Sequence, residues 1–138
     1  MEGNLIRKIK KDYNPVKISA EDKREKERQR EEMKKRGVPP PPVELYFPDY
    51  WPSFHHLFAD EQGRLFVMTY EKGENSREFI YDVFSPQGIF LGKINLPNYG
   101  GINNPLPIKA KHNHLYLIRK KENDYHDLVV YRMIWGSH

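Results

Sequence analysis

Asp60-Glu61-Gln62-Gly63-Arg64-Leu65-Phe66-Val67 and Tyr81-Asp82-Val83-Phe84-Ser85-Pro86-Gln87-Gly88 are the two stretches whose reading decides the fold. Each joins an apolar run to a turn that ends on glycine. Gly63 and Gly88 stand where a tight turn asks for a positive φ, which glycine adopts without steric cost. Working outward, the apolar runs predict strands over 54–59, 64–70, 79–84 and 89–96. The polar segment 71–78 is read as a hairpin loop. Four consecutive antiparallel strands with short turns make a meander.

Beyond it, Pro97–Pro107 reads as a loop, and the pattern then restarts. Ile108–Lys111, His114–Lys120 and Leu128–Trp135 are expected as strands, with a turn at His112-Asn113 and a polar loop at 121–127. Toward the N-terminus, residues 4–18 read as an outer strand whose alternation is broken by Lys and Arg. Ser19 with Asp22 gives an S-x-x-D start signal, and Gly37 with Pro39 a stop signal, so a helix is predicted over 20–36. That helix is almost entirely charged and has no apolar stripe to bury, so it is read as a solvated helix. Pro39-Pro40-Pro41-Pro42 reads as a stiff connector and Val43–Pro48 as extended chain.

Self-comparison sharpens the picture. At an offset of 50, Leu65-Phe66-Val67 falls on Leu115-Tyr116-Leu117, and Ile80-Tyr81 falls on Val130-Tyr131. At an offset of 85, Leu5-Ile6 falls on Phe90-Leu91 and Lys8-Ile9 on Lys93-Ile94. The predicted strands therefore sort as one, then four, then three, which is two four-stranded units cut out of phase. On Asp60-x-x-Gly63-Arg64-Leu65-Phe66-Val67 and Tyr81-Asp82-Val83-Phe84-Ser85-x-x-Gly88, the chain resembles the six-bladed, NHL-repeat-like β-propellers, in the manner of a C-terminal two-blade portion. The resemblance covers about residues 43–135 with 1–18 as a leftover strand. It departs at His112-Asn113, which replaces the Asp/Gly turn, and after Trp135, where no fourth strand follows.

The expected organisation is an all-β chain of propeller-type blades with one inserted charged helix. Residues 1–18 are an outer blade strand, 19–42 the helix and connector, 43–97 a complete blade and 98–135 an incomplete one. Residues 136–138 read as an expression-tag remnant. Two blades cannot close a ring, because such repeats bury their faces against neighbours. The chain is thus expected to belong to a larger propeller, or to self-associate, with three copies supplying six blades and each N-terminal strand completing a blade.

Composition narrows the function classes. The chain has no cysteine, which excludes disulfides, cysteine zinc sites and a cysteine nucleophile. No run of 18 apolar residues is present, so no membrane-spanning helix is expected. The net charge of +4 is concentrated in the N-terminal third, where acidic residues interleave with the basic ones, and no nucleic-acid partner is expected.

No motif for a serine hydrolase, zinc protease, phosphate loop or dinucleotide fold occurs, so no catalytic residue, metal or cofactor is assigned. Adjacent His55 and His56 are expected to point to opposite faces of a strand. His112 and His114 flank a turn without ligand spacing. Asp60 and Asp82 sit at repeat-defining positions and read as structural hydrogen-bonders. Ligands of propellers usually meet loops at one end of the central channel. Those loops are 48–53, 71–78, 97–107 and 121–127, which makes Tyr50, Trp51, His55, Tyr99, Asn103 and Asn104 the ligand-binding candidates. The resemblance implies a non-catalytic binding or scaffold module for a protein, peptide or glycan, commonly bacterial and exported, periplasmic or cell-surface. The alternative is a propeller-type lyase or hydrolase with a metal and histidine site in the channel.

Overall fold

A computed structural model describes residues 3–39, 48–102 and 104–136. It is all-β with one helix and divides into two compact units, one formed by Asn14–Pro52 and the other by Met1–Tyr13 with Ser53–His138. The connector at 40–42 and the extended reading of 43–47 lie outside the described residues.

In the first unit α1 spans Ala20–Lys35. The predicted capping box is present: the Asp22 amide donates to Ser19 Oγ at 3.1 Å, and the Ser19 amide donates to Asp22 Oδ2 at 3.1 Å. At the other end Gly37 takes φ +74° while the Gly37 and Val38 amides donate to the Lys34 and Met33 carbonyls. These two bonds are the Schellman arrangement that stops a helix. No α1 residue is buried, in keeping with the missing apolar stripe. The unit closes through Ile18 and Trp51, both buried. The Ile18 amide donates to the Asp49 carbonyl and the Trp51 amide to the Val16 carbonyl, while the Lys26 ammonium lies 5.1 Å from the Trp51 ring centre.

The second unit holds two antiparallel sheets. Sheet one is the meander β1 (Leu57–Ala59), β2 (Leu65–Lys72), β3 (Glu78–Phe84) and β4 (Phe90–Pro97), in that spatial order. Sheet two is β5 (Ile108–Lys111), β6 (His114–Lys120) and β7 (His126–Arg132). The turns follow the expected chemistry. Asp60 Oδ1 accepts from the Gln62 and Arg64 amides at 3.0 and 2.9 Å, and Gly63 takes φ +79°. Asp60 is thus a turn organiser, buried and ion-paired with Arg64. The departure at His112-Asn113 has a backbone reason. Both residues take positive φ, 50° and 57°, in a two-residue hairpin turn that closes Lys111 onto His114.

Residues separated by two along a strand share a face. In sheet one Phe66 pairs Val83 and Met68 pairs Tyr81, so these four share a face, and all four are buried. They form one cluster with Ala110, Leu115 and Leu117 of sheet two. The inner face of sheet one therefore packs on one face of sheet two, and that contact is the core.

Register corrects the offset of 50 for the last strand. Tyr116 pairs Val130 and Ile118 pairs Leu128. The counterpart of Tyr81 is therefore Leu128 and not Tyr131, and the counterpart of Val83 is Val130. Pairing of β6 with β7 runs unbroken, whereas that of β2 with β3 slips between Met68 and Lys72. That slip, together with a longer stretch inside the innermost strand pair (73–78 against 121–125), is what puts the two hairpins out of step.

The N-terminal expectation is also corrected. Among the described residues 4–18 form no strand; Lys17 makes a single bridge to Tyr50. Residues 7–11 instead lie across the outer face of sheet one. The Arg7 guanidinium donates to the Pro86 carbonyl, and the Lys11 ammonium sits 3.1 Å from Asp82 Oδ2 and 4.8 Å from the Phe90 ring centre. The offset of 85 made this segment an outer blade strand, but it pairs with no strand edge among the described residues, and Leu5 and Ile6 are exposed, 86% and 97%.

The core contact makes a direct prediction. Phe66→Ala should lower the unfolding free energy by about 3–5 kcal/mol, as for other buried aromatics. Leu5→Ala should change it by less than about 0.5 kcal/mol. Urea unfolding of the two variants checks the contrast.

Candidate functional site

The start of sheet one meets the loop after β4 through His55 and Ile102. The strand predicted from residue 54 pairs regularly only from Leu57, because His55 and His56 together oppose Met68. The His55 amide donates to the Met68 carbonyl, and the Met68 amide donates to the His56 carbonyl, each at 2.8 Å. Two residues stand where a regular ladder places one, which is a β-bulge. This corrects the expectation of opposite faces. The two imidazoles lie edge to face, 5.6 Å between ring centres, with His55 beside Tyr70 and His56 beside Tyr81. Nothing in the local composition marks the bulge, since it arises from pairing.

Across from the bulge, Asn98 fastens the loop. Asn98 is 2% exposed, and its Oδ1 accepts from the Leu106 and Gly100 amides at 2.8 and 3.2 Å, while Nδ2 donates to the Leu106 carbonyl. A Cβ at Gly100 would collide with the Asn104 carbonyl, so glycine is required there. The loop and the bulge are joined by His55 Nε2, which lies 2.7 Å from the Ile102 carbonyl and donates to it.

Of the sequence candidates, the structure brings His55 and the 98–102 loop together. Tyr99 is half-buried and carries the Arg77 guanidinium 5.7 Å from its ring centre. Asn104 is exposed. Tyr50 and Trp51 belong to the other compact unit, where Trp51 is a core residue. Asn103 lies outside the described residues. The loop ends at 71–78 and 121–127 contribute residues that the sequence reading passed over. Arg77, Tyr99, Arg119, Lys120 and Lys121 line an open groove of about 480 Å³. Arg119 grips Asp127 with two hydrogen bonds, 3.0 and 2.6 Å, and Lys121 approaches the same carboxylate at 3.2 Å. The Arg119 hydrogen bond holds the Asp127 carboxyl down at about 2. Alternating charges around a polar hairpin read as solvated loop in a sequence, so this clustering was not legible there.

Titration distinguishes the aromatic cluster from the groove. Burial pulls the His56 imidazole below its ordinary value, and the neighbouring His55 adds to the effect. Burial pushes the Tyr81 hydroxyl up to about 12. Nδ1 of both histidines is buried without a hydrogen-bond partner. Among the described residues no three His, Asp or Glu side chains gather as a metal site requires. The groove sets Arg77, the Asp127-paired Arg119 and Lys121, the Asp124-paired Lys120 and the carboxylate of Glu122 around the Tyr99 ring, a mixed-charge lining that suits polar recognition.

No family model, no curated protein and no solved structure matches the chain.

Neutral His56 ties the cluster to pH. Its folded pKa lies below the free value of 6.5, so the unfolded chain takes up the proton first. Its contribution is complete above pH 6.5 and is lost as pH falls through the folded value. Urea midpoints measured from pH 8 to pH 5 should therefore decline below 6.5, and His56→Gln should flatten that decline. The carboxylates with lowered values act below this window, so a decline unchanged in His56→Gln would refute the assignment.

Proposed function

We propose that the chain is a non-catalytic binding or scaffold module made of two propeller-type blades, with a protein as its partner through the outer face of sheet two. The observation that carries this is a register equivalence. Leu128 and Val130 are the counterparts of Tyr81 and Val83. Tyr81 and Val83 are 0% and 2% exposed under sheet two, whereas Leu128 and Val130 are 63% and 48% exposed. Tyr116 and Ile118 share their face. The same sheet position is thus covered once within the chain and left uncovered once. Exposed apolar strand faces of this kind mark interaction surfaces.

The partner is a further blade of the same construction, supplied by a longer propeller or by other copies of the chain. Three copies would bring six blades together. The groove of Arg77, Tyr99, Arg119 and Lys121 is the second surface of the module, suited to a polar ligand on the loop side.

Light scattering at micromolar concentration should give three times the chain mass of 16.5 kDa. The double change Leu128→Glu with Val130→Glu should return it to one, with unfolding free energy shifted by less than about 0.5 kcal/mol per exposed site. A monomeric wild-type mass would sink self-association.

A further inference from the structure

We infer that residues 7–13 are an intrachain cover on the surface that a second copy occupies, so that self-association proceeds head to tail by displacing them. The inference rests on the two-blade reading and assigns both surfaces of its contact.

The socket is the outer face of sheet one. Leu65 and Val67 of β2 are on the opposite face from Phe66 and Met68, with Asp82 and Phe84 of β3 beside them. In register these are the counterparts of Leu115, Leu117, Val129 and Tyr131 in sheet two. Leu115 and Leu117 already receive the inner face of sheet one in the core. The chain therefore contains one worked instance of the contact and displays an unused half of each kind. The β6–β7 outer face, with Ile118 in the place of Met68, corresponds to the inserting half. The β2–β3 outer face, with Val67 in the place of Leu117, corresponds to the receiving half. A surface and its non-identical complement on one molecule give a head-to-tail contact.

The cover fits poorly. Between residues 9–13 and sheet one an open cleft of about 600 Å³ remains, walled by Leu57, Leu65, Val67, Phe84 and Phe54. A packed interior leaves few voids larger than a water molecule, so this segment does not fill the face it lies on. It is held by polar pins: Arg7 on the Pro86 carbonyl and Lys11 on Asp82. Asp82 is 6% exposed, and its Oδ1 has no hydrogen-bond partner. A buried carboxylate with one oxygen unmet calls for a further donor.

The incoming face carries donors of the right sign. Lys109 pairs Tyr116, Lys111 pairs His114 and His114 pairs Arg132, which puts Lys109, Lys111 and Arg132 around the apolar residues Tyr116, Ile118 and Val130. The receiving face has Asp82, Glu71 and Glu78, against Lys93, which is already paired with Glu71 at 2.7 Å. A basic rim meeting an acidic one fixes direction and disfavours like-with-like pairing of two β6–β7 faces.

The absence of cysteine allows a clean test. Ile118→Cys and Val67→Cys single variants are mixed and treated with a short bismaleimide, whose reach matches the roughly 10 Å between packed sheets. The expected product links position 118 of one copy to position 67 of another. Lys11→Glu, which unpins the cover, should tighten association about tenfold, since apparent affinity scales with the uncovered fraction. Lys11→Gln serves as a second unpinned variant without a new charge. An oligomer that links only 118 to 118 overturns this inference and leaves self-association standing. Association unchanged in both Lys11 variants overturns the cover. A monomeric wild type overturns the self-association reading and this inference with it.

Discussion

The burial of Phe66, Met68, Tyr81 and Val83 against Ala110, Leu115 and Leu117 is the contact on which the sheet-bearing unit depends. A two-sided sheet of three or four strands has too little core by itself. Its apolar face must be buried against another layer. Sheet one covers its inner face with sheet two. Its outer face has residues 7–13 and an open cleft, and the outer face of sheet two has solvent. The pins outside the core follow the same seam. Arg64 is held by Asp60 and stacks 3.8 Å from the Trp135 ring centre, and Glu61 accepts from the His112 amide. The repeat-defining turn of one sheet thus clasps the exceptional turn of the other.

The Asn14–Pro52 unit is stabilised differently. A 16-residue helix with no buried side chain gains little from tertiary packing, and helices near this length are marginal alone. What supports it is local: both ends capped, acidic residues in the first turn and basic ones in the last, and pairs such as Glu25 with Arg28 at 2.7 Å. Exposed pairs of this kind are screened by solvent and add little each. Trp51, against Lys26, and Ile18 supply the apolar anchor.

How much was legible in the sequence follows from the range of each interaction. The turn at Asp60–Arg64, the capping box at Ser19 and the restart at Ile108 depend on residues within a few positions, and they were readable. The strand pair Phe66 with Val83 follows from alternation across the 71–78 loop, whereas Tyr116 pairs Val130 because β7 begins at His126, earlier than the expected end of the 121–127 loop. The bulge at His55-His56 was not readable, because it is set by what Met68 pairs with across the sheet. The counterpart of Tyr81 was misplaced because offset matching keeps residue types in line and is blind to a slip between Met68 and Lys72. The N-terminal segment was misread for a related reason. Its likeness to Phe90–Ile94 is one of residue type, whereas strand formation needs an edge to pair with. Of the candidate site, His55 and the 98–102 loop were legible as loop chemistry, but the cations of the Tyr99 groove come from two separate hairpins, β2–β3 and β6–β7.

Asp82 shows why the outer face of sheet one is not an ordinary solvent face. Its register counterpart in sheet two is Val129, on the face that carries the core contact. A carboxylate at that position, 6% exposed, costs free energy unless charge and hydrogen bonds compensate it. Lys11 meets one oxygen and leaves the other unmet. A strand meant only for water would need no such burial, and one meant for an apolar neighbour would carry valine there, as sheet two does. The combination of apolar walls, an incompletely satisfied acid and a detachable lysine is suited to a partner that brings both apolar side chains and a cation.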